Sequence, residues 1–231
     1  MALTYPLLLL NYKIYEGTAG VEGLELARTI EAVGRRTGAT VAVAPQTPDL
    51  HRIAAETSLP VVAQSVDAGS AGRGNGQISV AAVAAAGADG VVVNHPESPD
   101  TVGEVEVIVE ACAARGLESI VCVDSVDSGR AALAFDPDCL LFENPADIAS
   151  DRALARTQPD RVEAFVSMVD GENPRTRVLL GGGIGTAADV RASLDRGADA
   201  AGAASAFVGA DDREAWLESV AEALVSAGES G

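Results

Sequence analysis

Eight short apolar runs separated by stretches of helical spacing constrain what this chain can fold into more than any other feature. The runs are 7–11, 40–44, 61–64, 90–94, 119–123, 139–142, 178–180 and 198–202. They are nearly continuous in Leu, Val, Ile and Ala, the pattern of strands buried on both faces, as in a parallel sheet. Between them 21–37, 49–57, 79–86, 100–115, 127–134, 159–170, 186–196 and 212–227 carry helix-compatible spacing and good helix formers. Several of these open on Asp, Ser or Thr, and Gly34, Gly38, Gly87, Gly116 and Gly197 fall where helix stops are expected. Strand and helix alternate without a break in composition, which predicts one α/β domain over 1–231. The count favours closure into a single (β/α)8 barrel over an open sheet. The Gly-rich stretch 69–76 reads as a loop after the third strand, and the last five residues are expected to fray.

Composition narrows the function classes. The chain has 231 residues, 48% hydrophobic and 22% charged, an ordinary soluble globular balance. Its net charge of −18, from 34 acids against 16 bases, excludes a general nucleic-acid binder or a basic membrane-surface protein. No run approaches the length that spans a bilayer. The apolar N-terminus lacks a basic leader and a cleavage site, so no signal peptide is expected. Lys13 is the sole lysine, every other base being Arg. Acid-rich, lysine-poor surfaces suit concentrated salt, where screening over a few ångströms quiets self-repulsion, so a halophilic protein is expected rather than a merely acidic one. If Lys is replaceable everywhere else, position 13 is held by chemistry that needs a compact point charge. Cys112, Cys122 and Cys139 fit no metal spacing and read as inert buried thiols, which suits a reducing cytoplasm.

In such a barrel, reactive groups belong at the carboxyl ends of strands. The first run ends Asn11-Tyr12-Lys13, with Asn11 and Lys13 on one side of an extended segment. A cation there suits an anionic substrate, although a solvated Lys also fits. The fourth run ends Asn94-His95-Pro96-Glu97. Pro96, Pro99 and Asp100 predict that the next helix starts at once, so its dipole would disfavour protonated His95 and leave a neutral hydrogen-bond donor. A packed or surface His is the plainer alternative, and His51 reads as a surface residue. The sixth run ends in Glu143, a candidate general base whose pKa one-sided burial would raise, or else a partner for an Arg. The segment 144–151, with Pro145 as hinge, reads as a lid. The seventh run enters Gly181-Gly182-Gly183-Ile184-Gly185, and the eighth enters Gly202-Ala203-Ala204-Ser205. Small residues there let backbone N–H groups approach an anion, and this is the usual phosphate position in the fold.

Asn11-x-Lys13, Asn94-His95-x-Glu97, Glu143 with its Pro-containing loop, and the two small-residue loops together resemble the triosephosphate isomerase family. The short length, Ala44-Pro45-Gln46 and Gln64 are similar to its archaeal branch. The resemblance covers essentially the whole chain. It implies interconversion of dihydroxyacetone phosphate and D-glyceraldehyde 3-phosphate in glycolysis and gluconeogenesis. Glu143 would be the base, His95 the electrophile and Lys13 the cation, with Asn11 placing substrate and Glu97 a supporting acid. Phosphate would rest on backbone N–H groups near Ile148, Ala149, Gly183, Ala204 and Ser205. No metal or organic cofactor is implied. The sequence departs from the family pattern at Pro96, at Ala149-Ser150-Asp151 in the lid, and at Gly185. Two rival readings are a Schiff-base aldolase using Lys13 and a non-catalytic phosphosugar-binding barrel. The expected partners are a small phosphorylated triose and further copies of the chain, as a homodimer or homotetramer; the expected location is the cytoplasm.

Overall fold

The computed structural model describes residues 3–69, 72–147 and 152–228. Eight strands, β1 (Leu7–Asn11), β2 (Thr40–Ala44), β3 (Val62–Ala63), β4 (Gly90–Val93), β5 (Glu118–Val123), β6 (Cys139–Phe142), β7 (Arg177–Leu180) and β8 (Ala200–Ala203), form one sheet ordered β2-β1-β8-β7-β6-β5-β4-β3. All pairs are parallel. The ends of the sheet meet through a parallel bridge between Val43 and Val61, where the Val43 N–H donates to the Pro60 carbonyl at 3.0 Å. The sheet therefore closes into the expected (β/α)8 barrel.

The helices are α1 (Gly20–Thr37), α2 (Thr47–Glu56), α3 (Val80–Ala85), α4 (Val102–Ala113), α5 (Val126–Leu133), α6 (Leu154–Thr157), α7 (Pro159–Glu172), α8 (Ala187–Leu194), α9 (Ser205–Val208) and α10 (Arg213–Gly228). A 3-10 turn covers Pro145–Asp147. Ser79, Thr101, Ser125 and Thr186 each accept a backbone N–H as N-caps, the last three within capping boxes. No helix among the described residues is long and apolar enough to cross a membrane.

The continuity of the apolar runs has a simple cause. Side chains alternate along each strand, and both faces meet apolar partners. Leu7, Leu9, Val92, Leu141 and Leu179 point into the barrel, while Leu8, Leu10, Val91, Val93, Leu140, Phe142 and Leu180 pack in the separate core beneath the helices.

Several details differ from the sequence expectations. Gly34 does not end α1, which continues to Thr37. A side chain at 34 would be tight, since a Cβ would lie 3.2 Å from the Ala39 carbonyl oxygen. The stop is Gly38, left-handed at φ 78°, whose N–H donates to the Gly34 carbonyl. Helix α4 does not start directly after His95. Asp100 is held by the preceding loop and Thr101 caps the helix. Helix α10 includes Ala227 and Gly228, and the rest of the tail lies outside the described residues. The short helices α6 and α9 were not legible, because four residues carry too little periodicity.

Candidate active site

The inward parity of each strand decides what reaches its upper end. Leu9 faces the barrel interior, so Asn11 does too, while Tyr12, the residue after Asn11, is fully buried in the outer core. Lys13 returns to the cleft through a left-handed turn (φ 43°), not as a continued strand as its spacing suggested. Two side chains hold that turn: Asn11 Oδ1 accepts the Lys13 N–H (2.9 Å), and Gln64 Nε2 donates to the Lys13 carbonyl (3.2 Å) and the Ala44 carbonyl (2.9 Å). Non-glycine residues in this region cost about 1–3 kcal/mol and persist only where surroundings fix them.

The same device positions His95. Asn94 is left-handed (φ 59°). Its N–H donates to Asp100 Oδ2 (2.6 Å), its Oδ1 accepts the Asp100 N–H (3.1 Å), and its Nδ2 donates to the Cys122 carbonyl (3.1 Å). The Glu97 N–H donates into His95 Nδ1 at 3.1 Å, which makes Nδ1 the acceptor and leaves the proton of a neutral ring on Nε2. Burial first, then the Lys13 ammonium, hold His95 below its ordinary pKa, with Glu97 opposing. The charged form of the imidazole is thus disfavoured, but by desolvation and a nearby cation rather than by the helix dipole expected from sequence.

Glu143 follows β6 with the parity of Leu141. The residue is 5% exposed, and Oε1 is buried without a hydrogen-bond partner among the described residues. Burial pushes its pKa up to about 7, the Lys13 ammonium opposing and Glu97 adding to the rise. Oε1 lies 3.5 Å from His95 Nε2. Lys13 Nζ lies 2.7 Å from Glu97 Oε2, and that contact lowers the Glu97 pKa.

These groups share one cleft of about 610 Å³, lined by Asn11, Lys13, His95, Glu143, Gly183, Ala204 and Ser205 above a floor of Leu9, Val92, Leu141 and Leu179. Glu97 stands at an adjoining hollow that also takes in Lys13 and His95. Ile148 and Ala149, with Ser150 and Asp151, lie outside the described residues. The residues just before them, Pro145–Asp147, form the 3-10 turn, and Asn144 Nδ2 donates to buried Asp147 at 2.8 Å. Among the described residues no cluster of His, Cys, Asp or Glu is arranged to hold a metal ion. All three cysteines are buried free thiols, and His51 is exposed, its Nδ1 3.2 Å from the Ala86 carbonyl.

A family model described as triosephosphate isomerase matches residues 6–223. The chain belongs to the triosephosphate isomerase family. The triosephosphate isomerase of Methanosarcina barkeri is 38% identical over 213 residues, spanning 92% of this chain and 96% of that protein. That of Pyrobaculum calidifontis is 35% identical over 223 residues, spanning 96% and 98%. A crystal structure of triosephosphate isomerase from Bartonella henselae superposes with a TM-score of 0.73 at 19% identity, covering 94% of this chain and 98% of that one, a likeness of fold.

Sequence reading missed the brace residues of this triosephosphate isomerase site. Gln64 was noted only as a family-like detail, and Asp100 only as a helix start. Gln64 has no local pattern that tells of its distant partners at Lys13 and Ala44, and the pairing of Asp100 with Asn94 depends on how the loop between them folds back. The part played by Gly181 also emerges only from register. Leu141 pairs with Leu179 and Phe142 with Leu180, so Glu143 and Gly181 stand side by side, both facing inward. A Cβ at 181 would lie 2.7 Å from Glu143 Oε2 and 2.8 Å from Leu141 Cδ1. Glycine stands there for space, with no left-handed backbone to explain it.

Three outcomes are expected. Gly181→Ala should lower kcat on the order of 10²-fold, the scale of a displaced reacting group, with KM changed much less; steady-state kinetics on the folded variant check this. For Glu143, raised pKa means that the folded state prefers the protonated form, and stability is lost as pH rises from about 4.5 through about 7. Glu143→Gln should therefore raise the thermal midpoint at pH 8, with a gain that shrinks as pH falls toward 4.5. In the unsubstituted protein, kcat/KM should climb through about pH 7 as the base ionises.

Proposed function

We propose that this chain interconverts dihydroxyacetone phosphate and D-glyceraldehyde 3-phosphate by proton transfer through an enediolate. The adjacency of the Glu143 carboxylate and the His95 Nε2 edge, 3.5 Å apart in a cleft that also receives Lys13, carries this reading. Glu143 takes a proton from C1 of the ketose. His95 Nε2–H hydrogen-bonds the carbonyl oxygen as it gains charge, and Lys13 offsets the same negative charge electrostatically. Glu143 returns the proton to C2, and the oxygen-bound proton shifts from O1 to O2 through the imidazole, so atoms and charge balance. The phosphate sits on backbone N–H groups at Gly183, Ala204 and Ser205, with the lid around Ile148 and Ala149 adding to them. Asn11 and Glu97 hold the Lys13 backbone and ammonium. No cofactor takes part.

The Schiff-base alternative is disfavoured by the ion pair at Lys13, since an amine must be free of its proton to attack a carbonyl. The non-catalytic alternative leaves unexplained why a carboxylate is buried beside an imidazole with an oxygen that has no hydrogen-bond partner among the described residues. Borohydride trapping with substrate separates the first, and entry of solvent deuterium into dihydroxyacetone phosphate separates the second. Absence of deuterium exchange overturns the isomerase reading.

The whole chain acts as one catalytic domain, in a cytoplasm, consistent with three free thiols. It works as a homodimer or homotetramer. Ile14 beside Lys13 and Val102 and Val107 on α4 are large apolar side chains left exposed, 87% in the case of Ile14, which an interface would cover. With −18 net charge, the protein is suited to concentrated salt, which also lets a dianionic substrate approach it.

Lys13→Ala should cut kcat/KM by about 10²–10³-fold or more, the scale of one lost transition-state donor, in a coupled assay with glyceraldehyde 3-phosphate in concentrated salt. Near-normal turnover would remove its electrostatic role. Circular dichroism should show weaker stability in dilute than in multimolar KCl, and equal stability would count against salt adaptation.

A further inference from the structure

The loop after β7 has almost no side chains with which to fix itself. Gly182 and Gly183 are both left-handed at φ 71°, and Gly185 follows, so the backbone there has wide freedom. Yet its N–H groups must be aimed for a phosphate to bind. Asp189 Oδ2 holds one side of the loop end, accepting the Gly185 N–H at 3.1 Å. The other side is held from a distant element. Trp216 on α10, half-buried, donates its Nε1–H to the Gly185 carbonyl at 2.7 Å. The same indole packs against Phe207, ring centroids 5.6 Å apart. Phe207 is buried in α9, the helix that grows directly out of Ala204 and Ser205 after β8.

We propose that Trp216 is a positioning residue that fixes the β7 and β8 loops relative to each other and thereby sets the affinity for the substrate phosphate. One side chain, 31 residues along the chain from Gly185, touches the end of one loop by a hydrogen bond and the root of the other by ring packing. It does not touch the reacting carbons, so its effect falls on binding. This inference rests on the phosphate-binding role proposed above for the two loops.

Trp216→Phe keeps a six-membered ring against Phe207 and removes the indole N–H together with the five-membered ring that carries it. KM for glyceraldehyde 3-phosphate and Kd for inorganic phosphate should rise about three- to tenfold, the range given by one lost hydrogen bond, with kcat within about twofold. A merely structural role would lower the thermal midpoint without moving KM. Unchanged KM and Kd in the folded variant overturn the proposal. Should the variant fail to fold, the unsubstituted protein decides, since its indole is unique in the chain. Titration with inorganic phosphate should shift the indole N–H resonance and change the intrinsic fluorescence. Phosphate binding with both signals unmoved overturns the role of Trp216 alone. A protein that neither isomerises nor binds phosphate overturns the functional reading, and this inference with it.

Discussion

A carboxylate removed from water is costly, and the upper end of this barrel is organised around that cost. Glu143 is 5% exposed, and one oxygen lacks a hydrogen-bond partner among the described residues. In bulk water such a group would be a weak base with an ordinary pKa. Here desolvation raises it to about 7, where proton affinity and availability are balanced near neutral pH. The Lys13 ammonium keeps the shift from running higher, and glycine at 181 leaves the carboxylate the space it occupies.

The cation and the imidazole are subject to related constraints. Both Lys13 and His95 are delivered by backbone that leaves the strand through a left-handed residue, Lys13 itself and Asn94. Each such turn is unfavourable alone and is stabilised by side-chain hydrogen bonds, from Gln64 on a distant segment for one and from Asp100, six residues on in the same loop, for the other. Strain and bracing are thus paired at the two residues that must break the strand alternation to reach the cleft. The ion pair of Lys13 with Glu97 sets a local positive group within a molecule of strongly negative charge. At contact range, oriented groups outweigh a field that salt screens over about 10 Å or less.

Much of the fold was legible because burial on both sheet faces writes itself into the sequence as continuous apolar runs. The boundaries 7–11, 40–44 and 139–142 agree with β1, β2 and β6. The third strand shrank to Val62–Ala63, since a strand that joins its neighbour by one bridge has little ladder to define it. Of the candidate site, Lys13, His95 and Glu143 stood out as polar residues ending apolar runs, and they do enter one cleft. The neutral imidazole was expected for a wrong reason. Pro96 and Pro99 looked like a helix start, whereas Asp100 is engaged with Asn94 and the helix waits for the Thr101 cap.

The sequence alone determined the alternation of buried strands and helices, the excess of acid over base, and the identity of the groups able to hold or move a proton. Those are local or summed properties, fixed by which residues are present and how they are spaced. Tertiary structure alone decided that Gly181 stands beside Glu143, that Gln64 and Asp100 brace the turns, and that Trp216 touches two loops at once. The Gly181, Gln64 and Trp216 contacts join segments far apart in the chain, set by strand register and barrel closure, and Asp100 meets Asn94 only because the loop between them folds back; no spacing along the sequence encodes any of these.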